Sequence, residues 1–146
     1  MAILHDANVR SGIETRVRRL TPETRGRWGK MSVDQMLWHV NQAMAAAVGE
    51  IDQPDGKPPL PKSVMKFLVL KLPWVRNAPT LPGFVAKASH DFDAEKQRCL
   101  RLVKALADRP IEGVWMEHPL FGAMTGADVS RLHAKHLDHH LTQFGA

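Results

Sequence analysis

Apolar residues recur at helical spacing in four long stretches of the chain, and nowhere do they alternate over the length of a strand. Val9, Ile13, Val17 and Leu20 predict a helix over Asn8–Leu20 with a narrow apolar stripe among arginines. Thr21-Pro22-Glu23 reads as an N-cap followed by proline at the first helical position, opening a short second piece that Gly26 and Gly29 break. The clearest pattern runs from Ser32 to Val48. There Ser32 and Gln35 form a capping box, Val33, Met36, Leu37, Val40, Met44 and Ala47 share a face, and Gly49 closes the helix.

Residues 50–61 carry four prolines and Gly56 and predict a loop. Lys62–Leu72 predicts a short helix ended by Pro73, and a further loop holds Pro79 and Pro82. Asp93–Ala107 predicts a third long helix, with Leu100, Val103 and Leu106 inside and Lys96, Arg98, Arg101 and Lys104 outside. The stretch 110–126, with Gly113, Pro119, Gly122 and Gly126, reads as irregular; Val114-Trp115-Met116 is too short to predict a strand. Ala127–Phe144 is the last long helix, capped by Thr125 or Asp128. The expected fold class is therefore all-α, a four-helix bundle with long irregular connections, in one domain covering residues 1–146. Simple up-down and up-down-down-up orders both fit.

Composition narrows the function classes. A chain of 146 residues hides roughly 70% of its unfolded surface on folding. Its 44% hydrophobic and 24% charged content is that of a globular rather than a disordered protein. The single cysteine, Cys99, excludes an internal disulfide framework and a cysteine-based zinc knuckle. No run of about 18 apolar residues exists to span a membrane. Residues 1–10 lack the apolar core of a secretory leader, so a cytoplasmic location and no membrane partner are expected. The net charge is +5, with basic residues gathered at Arg10–Lys30 and Lys57–Arg76. Four Trp and five Phe are the only aromatics, and they do not interleave with these clusters as stacking platforms would. A solvated basic face is expected, and no nucleic-acid partner.

The unusual count is histidine: eight in all, four of them between His133 and His140. A helical residue advances about 100°, so with His133 as origin the apolar face of the last helix spans about −40° to +80°. His140 falls near −20° and should point inward with His133; His136, near −60°, sits at the edge; His139, near −120°, faces away. His136 and His140 are an i, i+4 pair whose imidazoles can share one metal ion. A single inward histidine is most often a hydrogen-bonded core residue, but two on one turn each need a buried partner. The best third ligand from another element is His39, about 100° from the centre of its helix's apolar stripe, with Ala43 and Ala46 leaving space beside it. A rim histidine at a helix interface is the competing reading. His118 and His90 lie in loops without an evident partner, and His5 lies in a loose terminus. Trp28, Trp38, Trp74 and Trp115 are expected in the core or as cleft wall.

The blocks Met36-Leu37-Trp38-His39-Val40 and His136-Leu137-Asp138-His139-His140-Leu141-Thr142-Gln143 resemble the DinB/YfiT-like superfamily, in which a second-helix histidine is joined by His-x3-His ending in a doubled histidine with Gln three positions on. Trp28-Gly29-Lys30-Met31-Ser32, His118-Pro119-Leu120-Phe121-Gly122 and His140-Leu141-Thr142-Gln143-Phe144-Gly145 resemble a small branch of it without an assigned function. The resemblance implies a divalent metal, zinc or nickel, on His39, His136 and His140. It implies a small-molecule substrate, with low-molecular-weight thiols used by S-transferase relatives and hydrolases also known, and it makes a homodimer an expectation. Leu141-Thr142 departs from the Arg-Gly common in the superfamily, and His133 is an extra inward histidine. Two functions compete on this basis. One is an enzyme with an open three-histidine site and His133, Glu117 or His118 as accessory groups. The other is a non-catalytic binding protein whose metal is structural or absent; a closed four-ligand shell would favour it.

Overall fold

The computed structural model describes residues 2–78 and 80–146; Met1, and Pro79 of the second predicted loop, lie outside the described residues. Five α-helices and one two-stranded sheet are formed among the described residues: α1 (Ala7–Arg19), α2 (Val33–Ala47), α3 (Lys62–Lys71), α4 (Phe92–Asp108), β1 (Val114–His118), β2 (Gly122–Thr125) and α5 (Gly126–Gln143). No helix among them is long and apolar enough to cross a membrane.

The helix starts follow local chemistry. Asp6 caps α1, its carboxylate accepting from the Asn8 and Val9 N–H groups at 2.8 and 3.1 Å. The predicted capping box opens α2, with Gln35 Oε1 accepting from the Ser32 N–H at 3.1 Å. Asp91 caps α4 through the Ala94 N–H. At α5, Thr125 and Asp128 act together as a second capping box. The short helical piece expected after Pro22 is a turn instead. The turn is closed by the Thr24 N–H on the Thr21 carbonyl and the Thr21 N–H on Thr24 Oγ1, both at 3.0 Å.

Helices α1, α2, α4 and α5 pack around one core that includes Val17, Met36, Leu37, Met44, Leu102, Leu106, Leu137 and Leu141. Arg16 ties α1 to α5, bonding Asp138 Oδ1 at 2.7 Å, Thr142 Oγ1 at 3.0 Å and the Ala146 carbonyl at 3.0 Å. Helix α3 lies outside this group, against α5 and β2, and Leu70 is its buried residue.

The all-α four-helix expectation is overturned by the β1–β2 hairpin and by α3 as a fifth helix. The strands pair antiparallel, with Met116 opposite Met124, Glu117 opposite Ala123 and His118 opposite Gly122, and with a register irregularity between Val114 and Met116. That irregularity and the brevity of the strands, five and four residues, leave no period-2 pattern long enough to read. What holds them is tertiary: Met124 is fully buried in the main core, and Met116 packs against it. The N-terminal segment is likewise tied down rather than loose. Leu4 is fully buried, and the His5 ring sits between Ser130 Oγ at 2.8 Å and the Arg109 carbonyl at 2.7 Å.

Two glycines separate backbone conformation from space. Gly126, the first residue of α5, packs so tightly that a Cβ there would collide with the Ile111 carbonyl and the Trp115 indole. Gly12 lies mid-helix in α1, with open space where its Cβ would go. Gly126→Ala should destabilise by about 1–3 kcal/mol through overpacking, and Gly12→Ala should stabilise by roughly 0.5–1 kcal/mol through helix propensity. Urea unfolding of both variants checks the opposite signs; a neutral Gly126→Ala would contradict the packing at the start of α5.

Candidate metal centre

His39 of α2 and His136 and His140 of α5 meet inside the fold, with one ring nitrogen from each lying within 4.8 Å of the others. His39 and His140 are buried and His136 is half-buried. His39 lies deeper than the rim position its helix angle implies, because the segment around the 3₁₀ turn Pro82–Phe84 covers that side of α2. The three rings meet edge to face, with centroids 4.8 to 4.9 Å apart.

Hydrogen bonds on the far side of two rings settle which nitrogens face inward. His39 Nδ1–H donates to the Phe84 carbonyl at 2.7 Å, which leaves the Nε2 lone pair free. His140 Nδ1–H donates to Gln143 Oε1 at 2.7 Å, and Gln143 Nε2 in turn donates to the Trp28 carbonyl at 2.8 Å. The amide is therefore oriented by the loop before α2, and it presents its oxygen to the histidine. Gly29 makes that approach feasible: its φ is +80°, and a Cβ would stand 2.7 Å from Gln143 Nε2. His39 Nε2 faces His136 Nε2 at 3.0 Å. Backbone or amide oxygens holding Nδ1 while Nε2 atoms converge is the arrangement by which proteins orient metal-binding imidazoles. The cluster can hold a metal ion.

Burial also keeps these rings neutral. Desolvation, then the neighbouring His39, depresses His140 to about 3. Desolvation first, then the surrounding imidazoles, lowers His136 well below the usual histidine range. His39 is lowered by the same burial, partly offset by its bond to Phe84. Neutral imidazole is the form that binds metal.

The other histidines divide differently from their predicted places. His133 is buried as expected, and its Nδ1 has no hydrogen-bond partner among the described residues. His118 is not in a loop: it ends β1, is buried, stacks on Phe121 at 4.3 Å and accepts from the Leu120 N–H at 3.0 Å through Nδ1. His139 was expected to face away, yet it is half-buried, with Trp28 and Trp74 at 5.9 and 5.6 Å covering that side of α5. Desolvation lowers its pKa, so it does not titrate as a free histidine. His90 stacks on Trp38 at 5.0 Å, away from the cluster. Glu117, offered as an accessory group, is exposed; its neighbours Met116 and His118 are the β1 residues that line the cavity beside the cluster. The Phe84 carbonyl left no side-chain signal in the sequence. Gln143 did, three residues beyond His140, one helical turn on.

These depressed histidines make acid stability a direct test. In the unfolded chain each takes up its proton near the reference value of about 6.5. In the metal-free folded chain His133 and His140 refuse protons down to about 3, and His118 down to about 4. The unfolded state therefore binds more protons throughout this interval, and stability falls as pH drops from 6.5 towards 3. Above 6.5 the same groups add no pH dependence. The melting temperature of metal-free protein should drop progressively between pH 6.5 and 5, above the range of carboxylate titration. A flat profile there would contradict the burial of neutral histidines.

No curated protein and no solved structure matches the chain. A family model described as a protein of unknown function (DUF1569) does match, over residues 10–146. With nearly its whole length covered, the chain belongs to the DUF1569 family.

Proposed function

We propose that this protein is a metal-dependent enzyme acting on a small molecule, with a zinc or nickel ion held by His39, His136 and His140. The observation that carries the reading is the orientation of His39 and His140: oxygen acceptors hold both Nδ1–H groups and leave both Nε2 lone pairs free, with His39 Nε2 3.0 Å from His136 Nε2 and a ring nitrogen of each of the three within 4.8 Å of the others. Two further features support it. Among the described residues the convergent set has three members, and catalytic sites typically have three protein ligands where structural zinc has four. A cavity of about 780 Å³ adjoins the cluster, within the usual size for a small-molecule site. The resemblance of the three-histidine pattern to the DinB/YfiT-like superfamily points the same way, towards a transferase using a low-molecular-weight thiol or a hydrolase.

A divalent ion with an open position would supply Lewis acidity, polarising a substrate atom or lowering the pKa of a bound water or thiol. The chain's own residues do the positioning. Phe84 and Gln143 fix the rings of His39 and His140, and the largely apolar surroundings of the cavity strengthen electrostatic interactions within it. Gln143 is a positioning residue: it acts on the ion through His140.

Metal content of untagged protein, purified without added metal or chelator, tests the reading. Wild type should carry close to one divalent ion per chain. His39→Ala, His136→Ala and His140→Ala should each retain below about a tenth of it, whereas His139→Ala should keep it. Gln143→Leu should fold and bind the ion roughly 10- to 100-fold more weakly, the usual effect of removing an orienting partner. Equal metal content in all these variants, or none in the wild type after reconstitution with zinc or nickel, would sink the proposal. Verified metal removal should also lower the melting temperature, since an ion bridging α2 and α5 binds only the native state.

A further inference from the structure

The cavity beside the three histidines has a wall unlike that of a site for charged metabolites. Met31, Met65, Met116 and Met124 contribute to it, with Trp28 and Trp74. Among the described residues no Asp or Glu lines it, and the one cationic residue that does, Lys30, is exposed at the surface. Apart from the three converging nitrogens, which can hold a metal ion, an organic ion moved into such a space would lose its hydration with no counter-charge in the wall to replace it. Methionine thioethers are soft and adaptable and suit apolar ligands of irregular shape.

One polar feature interrupts this wall away from the three converging nitrogens. His133 and His118 both line the cavity and stand outside the three-histidine set. His133 is 4% exposed, and its Nδ1 is buried with no hydrogen-bond partner among the described residues. A neutral imidazole carries one donor and one acceptor, and leaving either unmet in the interior is costly. His118 has its tautomer set by the Leu120 N–H, which occupies the Nδ1 lone pair and leaves the proton on Nε2 as a donor. Both rings are kept uncharged chiefly by desolvation, so the pair offers neutral hydrogen bonding rather than charge.

We propose that this cavity binds an uncharged, predominantly apolar small molecule, aromatic or alicyclic, anchored through a single hydroxyl or carbonyl group by His133 with His118 beside it. The methionine and tryptophan wall takes the apolar body, and the His133 ring, which lines the cavity, takes the polar group at the edge it turns to that space. Binding itself needs no metal. That this ligand is the substrate rests on the enzymatic reading above, because the same cavity is lined by His39, His136 and His140.

Calorimetric titration of metal-stripped protein at pH 7.5 with naphthalene, 2-naphthol, 2-naphthoate and 2-naphthylmethylammonium tests this directly. The four share one ring system and differ in charge and in the polar group. 2-Naphthol should bind most tightly, naphthalene about three- to tenfold more weakly for want of one hydrogen bond, and both ions at least tenfold more weakly than 2-naphthol. His133→Leu should bind naphthalene as wild type does and lose the preference for 2-naphthol, whereas His133→Gln, which keeps a donor and an acceptor, should retain it. If either ion binds as well as 2-naphthol, or if none of the four binds, the ligand class is wrong; these arms use wild-type protein and do not depend on how a variant folds. Persistence of the 2-naphthol preference in folded His133→Leu would remove His133 as the anchor and overturn the proposal. Protein that holds metal but not 2-naphthol overturns this inference and leaves the metal centre standing, and 2-naphthol binding by protein that never holds metal does the reverse.

Discussion

Three imidazoles gathered where water solvates them only in small part set the terms for the rest of this structure. Each ring must be neutral, because burial and the neighbouring rings both oppose a proton. Each neutral ring still has one donor and one acceptor to satisfy. For His39 and His140 the donors are met by the Phe84 carbonyl and the Gln143 amide oxygen, so their remaining lone pairs point at a common space. Lone pairs held in convergence repel unless a proton or a cation lies between them. Such a cluster can hold a positive ion although none of its groups carries a charge.

That constraint explains why distant segments are where they are. The loop ending in the 3₁₀ turn Pro82–Phe84 must lie over α2 to bring its carbonyl to His39. The segment carrying Trp28 must lie against the end of α5, with Gly29 in the left-handed region, to hold the Gln143 amide. Lys135 serves a similar end for α3. Its ammonium bonds the Val69 and Leu72 carbonyls and lies over Trp74 at 5.5 Å, which fastens the end of α3 and the following tryptophan to α5. Trp74 in turn is tilted over His136, with centroids 5.6 Å apart. Proline-rich connections that look structureless in sequence therefore form the roof of the site.

The hairpin lines the same cavity. Met116, His118 and Met124 bring sulfur and imidazole to the cavity, while Glu117 is left in solvent. A regular helix in this stretch would present its side chains at 100° intervals and would not expose three of them to one cavity from two adjoining chain segments. Membership of the DUF1569 family covers the hairpin and the helices alike.

Sequence by itself determined what depends on local periodicity and capping. The long helices, the Ser32 and Thr125 starts of α2 and α5, the inward faces of His133 and His140 and the i, i+4 relation of His136 to His140 all follow from a 100° step and a few side-chain hydrogen bonds. Tertiary structure alone decided whatever rests on a partner remote in the chain. The two strands exist because Met124 and Met116 pack on the core, not because four or five residues alternate. His5 is ordered by Ser130 and Arg109, more than a hundred residues away. His139 is half-covered by tryptophans from two loops, although its angle on α5 points it outward. His39 acquires a defined tautomer from a backbone carbonyl, a group every residue possesses and no sequence motif can mark. Helical angles say which way a side chain leaves its own axis; what it meets there is fixed only when the rest of the chain has packed.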